Sequence, residues 1–406
     1  MPGVTMPEKT MPGKTMSETS MRPAWTRDNW DRAPFNRWSF QHVREIVPTA
    51  EVWRGREPAS ILPRAPRPIE GIAYQGEFGA GDIGQFLDNS YTDGFIVLHR
   101  GAVVAERYFN GMNERTLHLS QSVGKSLIGI LVGIFAARGQ LDVDGQITDY
   151  LPDLGATAYQ GATIAQVLNM TSGVAFDETY TDPYSDIGRI DVACGWKEKP
   201  AGDTRHWPGS VWEVILGLTK KEAEHGARFS YRSIETDVLA FLLERISGLR
   251  LPEIVSRDLW QPLGAEESAN YTVDPSGYAL ADGGFNACLR DYARFGEMLT
   301  QDGFFNGRQV VPSNWVRKCR FGNHAKFTGD YRIATPHGAY QNQFWHEDHR
   351  TPVLLARGVF GQLIYSDPAS SFTAVKLSSW PDFRNNQLLR ETLAALNALK
   401  QALNGS

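Results

Sequence analysis

One apolar segment, Ser122–Arg138, constrains the fold of this chain more than any other feature of its sequence. Apolar side chains recur through it at helical spacing, and Gly139 follows as a stop signal. They are Val123, Leu127, Ile130, Leu131, Ile134 and Phe135. The pattern predicts a helix that is buried over most of its surface. Its cleanest apolar run, Ser126–Ala136, is about half of the roughly 20 residues that a membrane span requires, so we expect it in a protein core.

The segment begins with an S-x-x-K pattern formed by Ser122 and Lys125. Residues three apart share one face of a helix, so the lysine can reach the serine hydroxyl. A serine becomes nucleophilic when a base takes its proton, and a lysine in an apolar pocket can have its pKa lowered enough to do so. About one such pattern is expected by chance in a chain of this length. A buried lysine is costly unless paired, however, so a catalytic pair and an incidental match both stay open.

Strand patterns occur towards both ends of the chain. Thr92–Phe109 has two apolar runs around Arg100-Gly101, which predicts a β-hairpin. Apolar runs return at Pro352–Tyr365 and Phe372–Ser379, where we expect further sheet. Asn386–Leu403 closes the chain with the pattern of an amphipathic helix.

These patterns predict an α/β lobe from residues 22–120 and 330–406, with a mainly helical lobe inserted at residues 121–329. Residues 25–91 have weak periodicity, and we expect loops and short helices there. Residues 1–20 repeat with a period of five, beginning MPGVT and MPEKT. Because this composition cannot bury enough surface to offset ordering, residues 1–21 are predicted to be disordered.

Charge and cysteine usage narrow the range of partners. The formal net charge is −5 and no Lys/Arg-rich run occurs, which argues against nucleic acid. Cys194, Cys288 and Cys319 lack C-x-x-C spacing, so we expect reduced thiols. The N-terminal region lacks the pattern of a secretory signal, which favours a cytoplasmic protein. We expect a small-molecule ester or amide substrate, no membrane association, no cofactor and no metal, and a homodimer is compatible with the sequence.

Further motifs follow the apolar helix in order. They are Gly139–Asp142, Ile147–Pro152, Thr163–Gly173, Phe229–Ser233, Asp237–Ala240 and Glu244–Gly248. In order and spacing they resemble class C β-lactamases, penicillin-binding carboxypeptidases and related esterases. Other segments resemble the 6-aminohexanoate-dimer hydrolases, the nylon-oligomer enzymes, in particular: Pro34–Phe40, Thr236–Ala240, Arg290–Arg294 and Val375–Asp382. The resemblance covers nearly all of the chain from about Asn36. It implies a β-lactamase/penicillin-binding-protein-like fold, an antiparallel sheet flanked by helices.

The resemblance implies three catalytic side chains: Ser122 as nucleophile, Lys125 as its basic partner and Tyr231 as a second proton-transfer group. Tyr231 opens a Y-x-N-type motif in which Ser233 replaces Asn, as in the nylon-oligomer subgroup. A phenol linked to a lysine can pass a proton to the leaving amine or alkoxide, as acyl transfer requires. A tyrosine packed in front of a helix is the structural alternative.

The K-T-G motif of β-lactamases aligns with Ala356-Arg357-Gly358, which Val359 follows. Only the glycine is retained. We expect it to let a substrate approach the strand, so that the backbone N–H groups of Val359 and Ser122 form an oxyanion hole. Loss of the Lys and Thr that bind a β-lactam carboxylate argues against efficient β-lactamase action.

For the substrate, the resemblance implies an amide pocket shaped by Tyr180 and Asp191. Asp282 stands where the family has an assisting Asn, and Arg357 stands where it has an apolar residue. Two carboxylates facing an arginine could hold a zwitterion or neutralise each other, and both outcomes stay open. Trp345 matches a tryptophan of the pocket wall, with an ordinary core position as the alternative.

Together these residues predict a serine hydrolase that cleaves short esters, and linear amides such as 6-aminohexanoate dimer, through an acyl-enzyme. A β-lactamase or peptidase is the alternative among enzymes. A non-catalytic binding protein on the same fold is the alternative from another class, and the presence of Ser122, Lys125 and Tyr231 disfavours it.

Two further motifs carry less weight. Gly79–Gly84 has the form G-x-G-x-x-G, but a hairpin pattern follows it rather than a βαβ unit, so we expect a loop and no dinucleotide site. His346–His349 contains neither H-E-x-x-H nor a third ligand at suitable spacing, so we expect a solvated loop rather than a metal site.

Overall fold

The computed structural model describes residues 25–405, and the predicted disorder of residues 1–21 lies outside the described residues. Strands β1 to β15 are Thr49–Val52, Ala73–Gly76, Gly79–Asp82, Thr92–His99, Ala102–Tyr108, His118–Leu119, Ala269–Thr272, Phe285–Ala287, Phe304–Phe305, Arg308–Gln309, Ala339–Gln341, Phe344–His346, Leu354–Gly358, Gln362–Asp367 and Phe372–Ser378. Helices α1 to α14 are Asn36–Ser39, Ile83–Asn89, Val123–Ala137, Ile147–Tyr150, Ile164–Leu168, Asp186–Ala193, Val211–Gly217, Ile234–Ser247, Leu251–Val255, Gln261–Leu263, Leu289–Thr300, Ser313–Cys319, Asp330–Ala334 and Asn386–Asn404.

The main sheet has seven strands in the order β11-β12-β13-β14-β15-β4-β5, and its neighbouring pairs are antiparallel. Side chains of β4 alternate between two apolar clusters, with Phe95 and Val97 in one and Ile96 and Leu98 in the other. Because successive residues of a strand point to opposite faces, both faces of this sheet are covered.

Helices cover the two faces of the main sheet. The C-terminal helix α14 packs on the face that carries Phe95, where Leu396 and Leu399 are buried. Helix α11 packs on the opposite face against β14, β15 and β4, and α3 packs there against β13. The predicted antiparallel sheet flanked by helices is therefore confirmed. The division into lobes at residues 121 and 329 stays a prediction.

Helix α3 lies at the centre of the molecule, between the sheet and α8. Buried side chains occupy the helix from Val123 to Phe135, as the apolar pattern predicts. Glycines allow the close packing: a Cβ atom added at Gly129 would lie 2.2 Å from the carbonyl oxygen of Asn342, and one added at Gly133 would lie 2.2 Å from the Trp315 ring. The helix is thus fixed in position by contacts with backbone and with an aromatic ring.

The hairpin prediction is confirmed, whereas the prediction for the next sheet segment is corrected. Strands β4 and β5 meet at Arg100 and Gly101, whose φ angles of 52° and 80° are those of a tight hairpin turn. The predicted run Pro352–Tyr365 is two antiparallel strands, β13 and β14, separated by the short helical turn Val359–Gly361. An apolar run does not reveal this break, because both strands are buried on both faces.

The sequence patterns did not predict the short strands in the first part of the chain and in the helical lobe, which are β1 to β3 and β6 to β10. Strands β1, β7, β8 and β6 form a second antiparallel sheet, in that order, and β6 leads directly towards Ser122. These strands are two to four residues long, which is too short for an alternating pattern to be visible.

The expected loops at Gly79–Gly84 and His346–His349 are wrong in part. The glycine segment is strand β3, paired with β2, followed by the start of α2. His346 ends strand β12 and is buried, and burial lowers its pKa to about 4. Within residues 25–405, no cluster of three or more His, Cys, Asp or Glu side chains is arranged to hold a metal ion.

Two other findings concern the described range, residues 25–405. Each of its helices is too short or too polar to span a bilayer. Its three cysteines, Cys194, Cys288 and Cys319, are buried and carry free thiols.

The packing of α3 predicts the effect of one added methyl group. We expect Gly133→Ala to lower the free energy of unfolding by about 1–3 kcal/mol, because the new Cβ overlaps the Trp315 ring. Gly217→Ala, at the end of α7 where an added Cβ meets no atom within 4 Å, serves as the control and should be neutral or raise stability by up to about 1 kcal/mol. Urea unfolding measures both. Equal stabilities for Gly133→Ala and wild type would contradict the packing.

Candidate active site

Ser122 lies where the second sheet meets the buried helix. Strand β6 ends at Leu119, and Ser122 is the N-cap residue of α3 with φ −63° and ψ −3°. Gln121, immediately before it, has a φ of 51°, in the left-handed region that non-glycine residues rarely occupy. This turn places Ser122 in the lining of two cavities. Backbone strain of this kind concentrates at functional sites.

Lys125 lies one helical turn after the serine and points back to it. Its Nζ donates hydrogen bonds to Ser122 Oγ at 3.0 Å and to the backbone carbonyl oxygen of Asp282 at 2.5 Å. The carboxylate oxygen Oδ2 of Asp282 is 3.9 Å from Nζ, and the centre of the Tyr231 ring is 5.4 Å away. Lys125 is 1% exposed, so these groups replace nearly all of the water around the amine.

The predicted lowering of the lysine pKa is wrong. Burial by itself lowers the pKa of Lys125, but Tyr231, Asp282 and Glu178 act in the opposite direction and raise it above its usual value. The prediction assumed an apolar pocket, whereas folding brings acidic side chains from distant segments to the amine. Lys125 is therefore protonated at neutral pH. The Lys–Tyr pair must lose a proton before it can accept the one on Ser122.

Tyr231 lies in the loop before α8 and completes the group around the serine. Its side chain lies near Ser122, and its ring stacks on Trp345 with the ring centres 5.2 Å apart. Its backbone N–H donates to the hydroxyl of Tyr331 at 3.0 Å. Burial raises the pKa of Tyr231, and the opposing charge of Lys125 does not cancel the rise. A phenol beside an ammonium group is suited to pass a proton to a leaving group.

Glu178 is a half-buried carboxylate of this site that the sequence did not reveal. It accepts hydrogen bonds from Tyr180 Oη at 2.7 Å, from the backbone N–H of Ser233 at 2.9 Å and from Ser233 Oγ at 2.5 Å. Burial raises its pKa, while Lys125 and these donors oppose the rise. Glu178 therefore joins two predicted pocket residues. Its nearness to Tyr180 in the sequence was the only available signal.

Gly358 has a structural role besides the predicted approach of substrate, which stays a prediction. A Cβ atom at this position would lie 2.4 Å from the carbonyl oxygen of Ser120, so the missing side chain lets strand β13 pack against the segment that leads to Ser122. This contact brings Val359 to the serine, and both residues line both cavities. Neither backbone N–H donates to a carbonyl in the surrounding turns and caps. The oxyanion hole of Ser122 and Val359 stays a prediction that this arrangement favours.

The two cavities meet at the serine and differ in charge. They share the lining residues Ser122, Tyr180, Val359 and Phe383. We call the first the tyrosine arm, because Tyr231 lines it; it also contains Trp345, Arg357, Gly358 and Arg384. We call the second the acidic arm; it contains Asp191, Ser233 and Asp282, with Trp196, Ile187 and Ile190 among its apolar residues.

The predicted arrangement of two carboxylates facing an arginine is therefore wrong. Arg357 lies in the tyrosine arm, with its guanidinium 4.8 Å from the centre of the Trp345 ring. Asp191 and Asp282 lie in the acidic arm. Asp282 faces Lys125 instead. Sequence order could not separate these groups, because they come from three distant segments.

Burial controls the ionisation of the acidic arm. It raises the pKa of Asp191 to about 8, with a further contribution from Asp31, while Lys197 opposes the rise. Burial also raises the pKa of Asp282, although the charge of Lys125 opposes it. An added cation in the acidic arm would favour the ionised form of Asp191 and would be stabilised by its charge.

Comparison with known proteins agrees with this geometry. A model of the beta-lactamase family matches residues 84–398, a range that includes Ser122, Lys125 and Tyr231. The chain belongs to the beta-lactamase family.

Relatives of this beta-lactamase-family chain include hydrolases. The 6-aminohexanoate-dimer hydrolase of Paenarthrobacter ureafaciens is 36% identical over 352 residues, which is 86% of each chain. A solved structure from Bacillus anthracis, named as a candidate 6-aminohexanoate-dimer hydrolase, matches with a TM-score of 0.86 at 28% identity, over 95% of this chain and 99% of the other. Esterase EstB of Burkholderia gladioli is 25% identical over 202 residues, 46% of this chain and 47% of its own length. The predicted family and fold are confirmed, and the protein is a serine hydrolase.

The geometry predicts that both partners of the serine are needed for its reactivity. We expect Lys125→Met and Tyr231→Phe each to slow fluorophosphonate labelling of Ser122 by about 100- to 10,000-fold, since each removes a proton-transfer group. Tyr159→Phe is the matched control, because the Tyr159 hydroxyl is buried without a hydrogen-bond partner in the described structure. Mass spectrometry of the adduct gives the rates. Labelling of either active-site variant at the wild-type rate would exclude the assigned role.

Proposed function

We propose that this protein hydrolyses short carboxylic esters, and linear amides such as 6-aminohexanoate dimer, through an acyl-enzyme on Ser122. The observation that carries the proposal is the contact of one serine hydroxyl with both Lys125 and Tyr231 at the junction of two cavities. One cavity is then available for the acyl group and the other for the leaving group.

The proposed reaction assigns each proton. The Lys125–Tyr231 pair first loses one proton to solvent. Ser122 Oγ then attacks the substrate carbonyl while its proton passes to the pair, and the N–H groups of Ser122 and Val359 stabilise the oxyanion. When the tetrahedral intermediate collapses, Tyr231 gives a proton to the departing amine or alkoxide. Water then attacks the acyl-enzyme, its proton passes to the same pair, and Ser122 recovers its hydroxyl as the acid leaves.

The charge of the acidic arm favours an acyl group that ends in an amine. Asp191 and Asp282 lie there beside apolar side chains such as Ile187 and Ile190, which suit a methylene chain. The relative from Paenarthrobacter ureafaciens is named for a substrate that carries a terminal amine, 6-aminohexanoate dimer. The substrate of this chain is therefore proposed to place its ammonium group against Asp191.

Rates on three substrates test the proposal. We expect the wild type to hydrolyse p-nitrophenyl butyrate and 6-aminohexanoate dimer, with nitrocefin slower than the ester because Arg357 replaces the Thr of K-T-G. Ser122→Ala should lose all three activities, since it removes the hydroxyl that attacks the carbonyl. Faster turnover of nitrocefin would favour a β-lactamase. Absence of every activity, together with absence of a fluorophosphonate adduct, would favour a non-catalytic binding protein.

The acidic arm predicts how Asp191→Asn changes substrate preference. Preference is the ratio of kcat/KM for p-nitrophenyl 6-aminohexanoate to that for p-nitrophenyl hexanoate, which lacks only the amine. We expect the ratio to fall by about 10-fold or more, because a hydrogen bond to a charged group usually contributes at least that much to binding. Asp144→Asn, at an exposed position outside both cavities, is the control. An unchanged ratio in Asp191→Asn would remove Asp191 from amine recognition.

The pKa of Asp191 predicts how the KM values of the amino ester and the hexanoate ester depend on pH. This carboxyl group is neutral below about pH 8 and ionised above it. An alkylamine stays protonated until about pH 10. The KM for the amino ester should therefore fall as the pH rises through about 8, and this fall should be absent with the hexanoate ester and in Asp191→Asn. Parallel pH profiles for the two esters would contradict the assignment.

A further inference from the structure

Arg357 is a charged group in the tyrosine arm that the proposed reaction does not use. It lies on strand β13 with its guanidinium over the Trp345 ring. Within residues 25–405, Arg357 takes part in no ion pair and donates no side-chain hydrogen bond. Burial lowers its pKa to about 10, and the neighbouring Arg384 contributes to the lowering.

Arg357 is half-buried, and the fully buried arginines of the described structure each have a carboxylate partner. The pairs are Arg232 with Glu222, Arg294 with Asp291, and Arg320 with Asp302. A buried charge without a partner is destabilising. No nitrogen of Arg357 is fully enclosed, so each keeps access to solvent, and the residue lines the tyrosine arm. The guanidinium is therefore free to bind an anion in that arm.

The carboxylates near Arg357 do not neutralise it. Glu347 raises the pKa of Arg357 but lies too far from it to form an ion pair. Glu178 lines the same arm, but its oxygens accept hydrogen bonds from Tyr180 and Ser233. Asp330 also lines the arm and is exposed to solvent. Arg384, exposed and in the same lining, adds a second positive charge.

Tyr231 identifies which part of the substrate lies in this arm. The group that protonates the leaving atom must be within hydrogen-bond reach of it. Tyr231 lines the arm that holds Arg357 and does not line the acidic arm. The leaving group therefore occupies the tyrosine arm, and the acyl group occupies the acidic arm.

We propose that the tyrosine arm selects leaving groups that carry a carboxylate, which Arg357 binds through its guanidinium with Arg384 adding positive charge. The substrates are then esters of hydroxycarboxylic acids and amides of aminocarboxylic acids. A guanidinium suits this task because its planar donors match the two oxygens of a carboxylate. The subsite adds binding and positioning to the hydrolysis, and it rests on the proposed function.

Two esters that differ at one group of the leaving phenol test the subsite. They are 4-carboxyphenyl butyrate and 4-carbamoylphenyl butyrate, an anion and a neutral compound of nearly equal size. The quantity to compare is the kcat/KM for the anionic ester divided by that for the neutral ester. Because this ratio in each variant is compared with the ratio in wild type, the difference in reactivity between the two phenols cancels. We expect Arg357→Met to lower the ratio by about 10-fold or more, and Arg357→Lys to lower it less. Arg115→Met, at an exposed ion pair outside the arm, is the control and should leave the ratio unchanged.

A wild-type measurement gives the same information without a variant. We expect 4-hydroxybenzoate to inhibit p-nitrophenyl butyrate hydrolysis competitively and more strongly than 4-hydroxybenzamide. A second pair places the carboxylate on the acyl side, in mono-p-nitrophenyl adipate and p-nitrophenyl hexanoate, and Arg357→Met should leave that ratio unchanged.

Three results would overturn the subsite. An equal ratio in wild type and Arg357→Met, or an equal loss on all four esters, would reduce Arg357 to a structural residue stacked on Trp345. Equal inhibition by 4-hydroxybenzoate and 4-hydroxybenzamide would do the same. If wild type hydrolysed none of the esters, the proposed function itself would be wrong, which is a different outcome from activity without preference.

Discussion

The structure depends on keeping the ammonium of Lys125 ionised inside the protein core. A lone charge there would be strongly destabilising, so the chain surrounds it with the Ser122 hydroxyl, the Asp282 carbonyl, the Tyr231 ring and several carboxyl groups. The hydroxyl, the carbonyl and the ring among these partners come from α3, from the segment before β8 and from the loop before α8. Correct folding of all three segments is therefore required for one side chain, and the same assembly positions the nucleophile.

Local and periodic features of this molecule were predictable from the sequence. The α3 helix follows from apolar spacing, the contact of Lys125 with Ser122 follows from a separation of three residues, and the β4–β5 hairpin follows from two apolar runs around a turn. Tyr231 lies far away in the sequence, and only the resemblance to a family linked it to the serine. The same resemblance placed Tyr180, Asp191 and Trp345 around the cavities.

Features that depend on three-dimensional proximity were not predictable. The direction of the lysine pKa shift reverses because carboxyl groups from other segments lie near the amine, which no local pattern encodes. The place of Glu178 in the site is recognised from the hydrogen bonds that Tyr180 and Ser233 donate to it. The need for glycine at position 358 is recognised from the close contact with the Ser120 carbonyl. The separation of Arg357 from Asp191 and Asp282 into two arms likewise arises from the packing of β13 beside α3. In each case the sequence supplies the residue and the fold supplies its neighbour.

The strand order also has a consequence for biosynthesis. Strand β4, near the beginning of the chain, pairs with β15, near its end, so that Phe95 lies opposite Lys376. During synthesis, the β4 edge of the β4–β5 hairpin therefore stays unpaired, with its apolar side chains uncovered, until almost all of the polypeptide has been translated. Such an exposed edge is prone to aggregate, and contacts between distant residues form slowly. We expect premature termination within the last strands to leave an insoluble product rather than a smaller folded one.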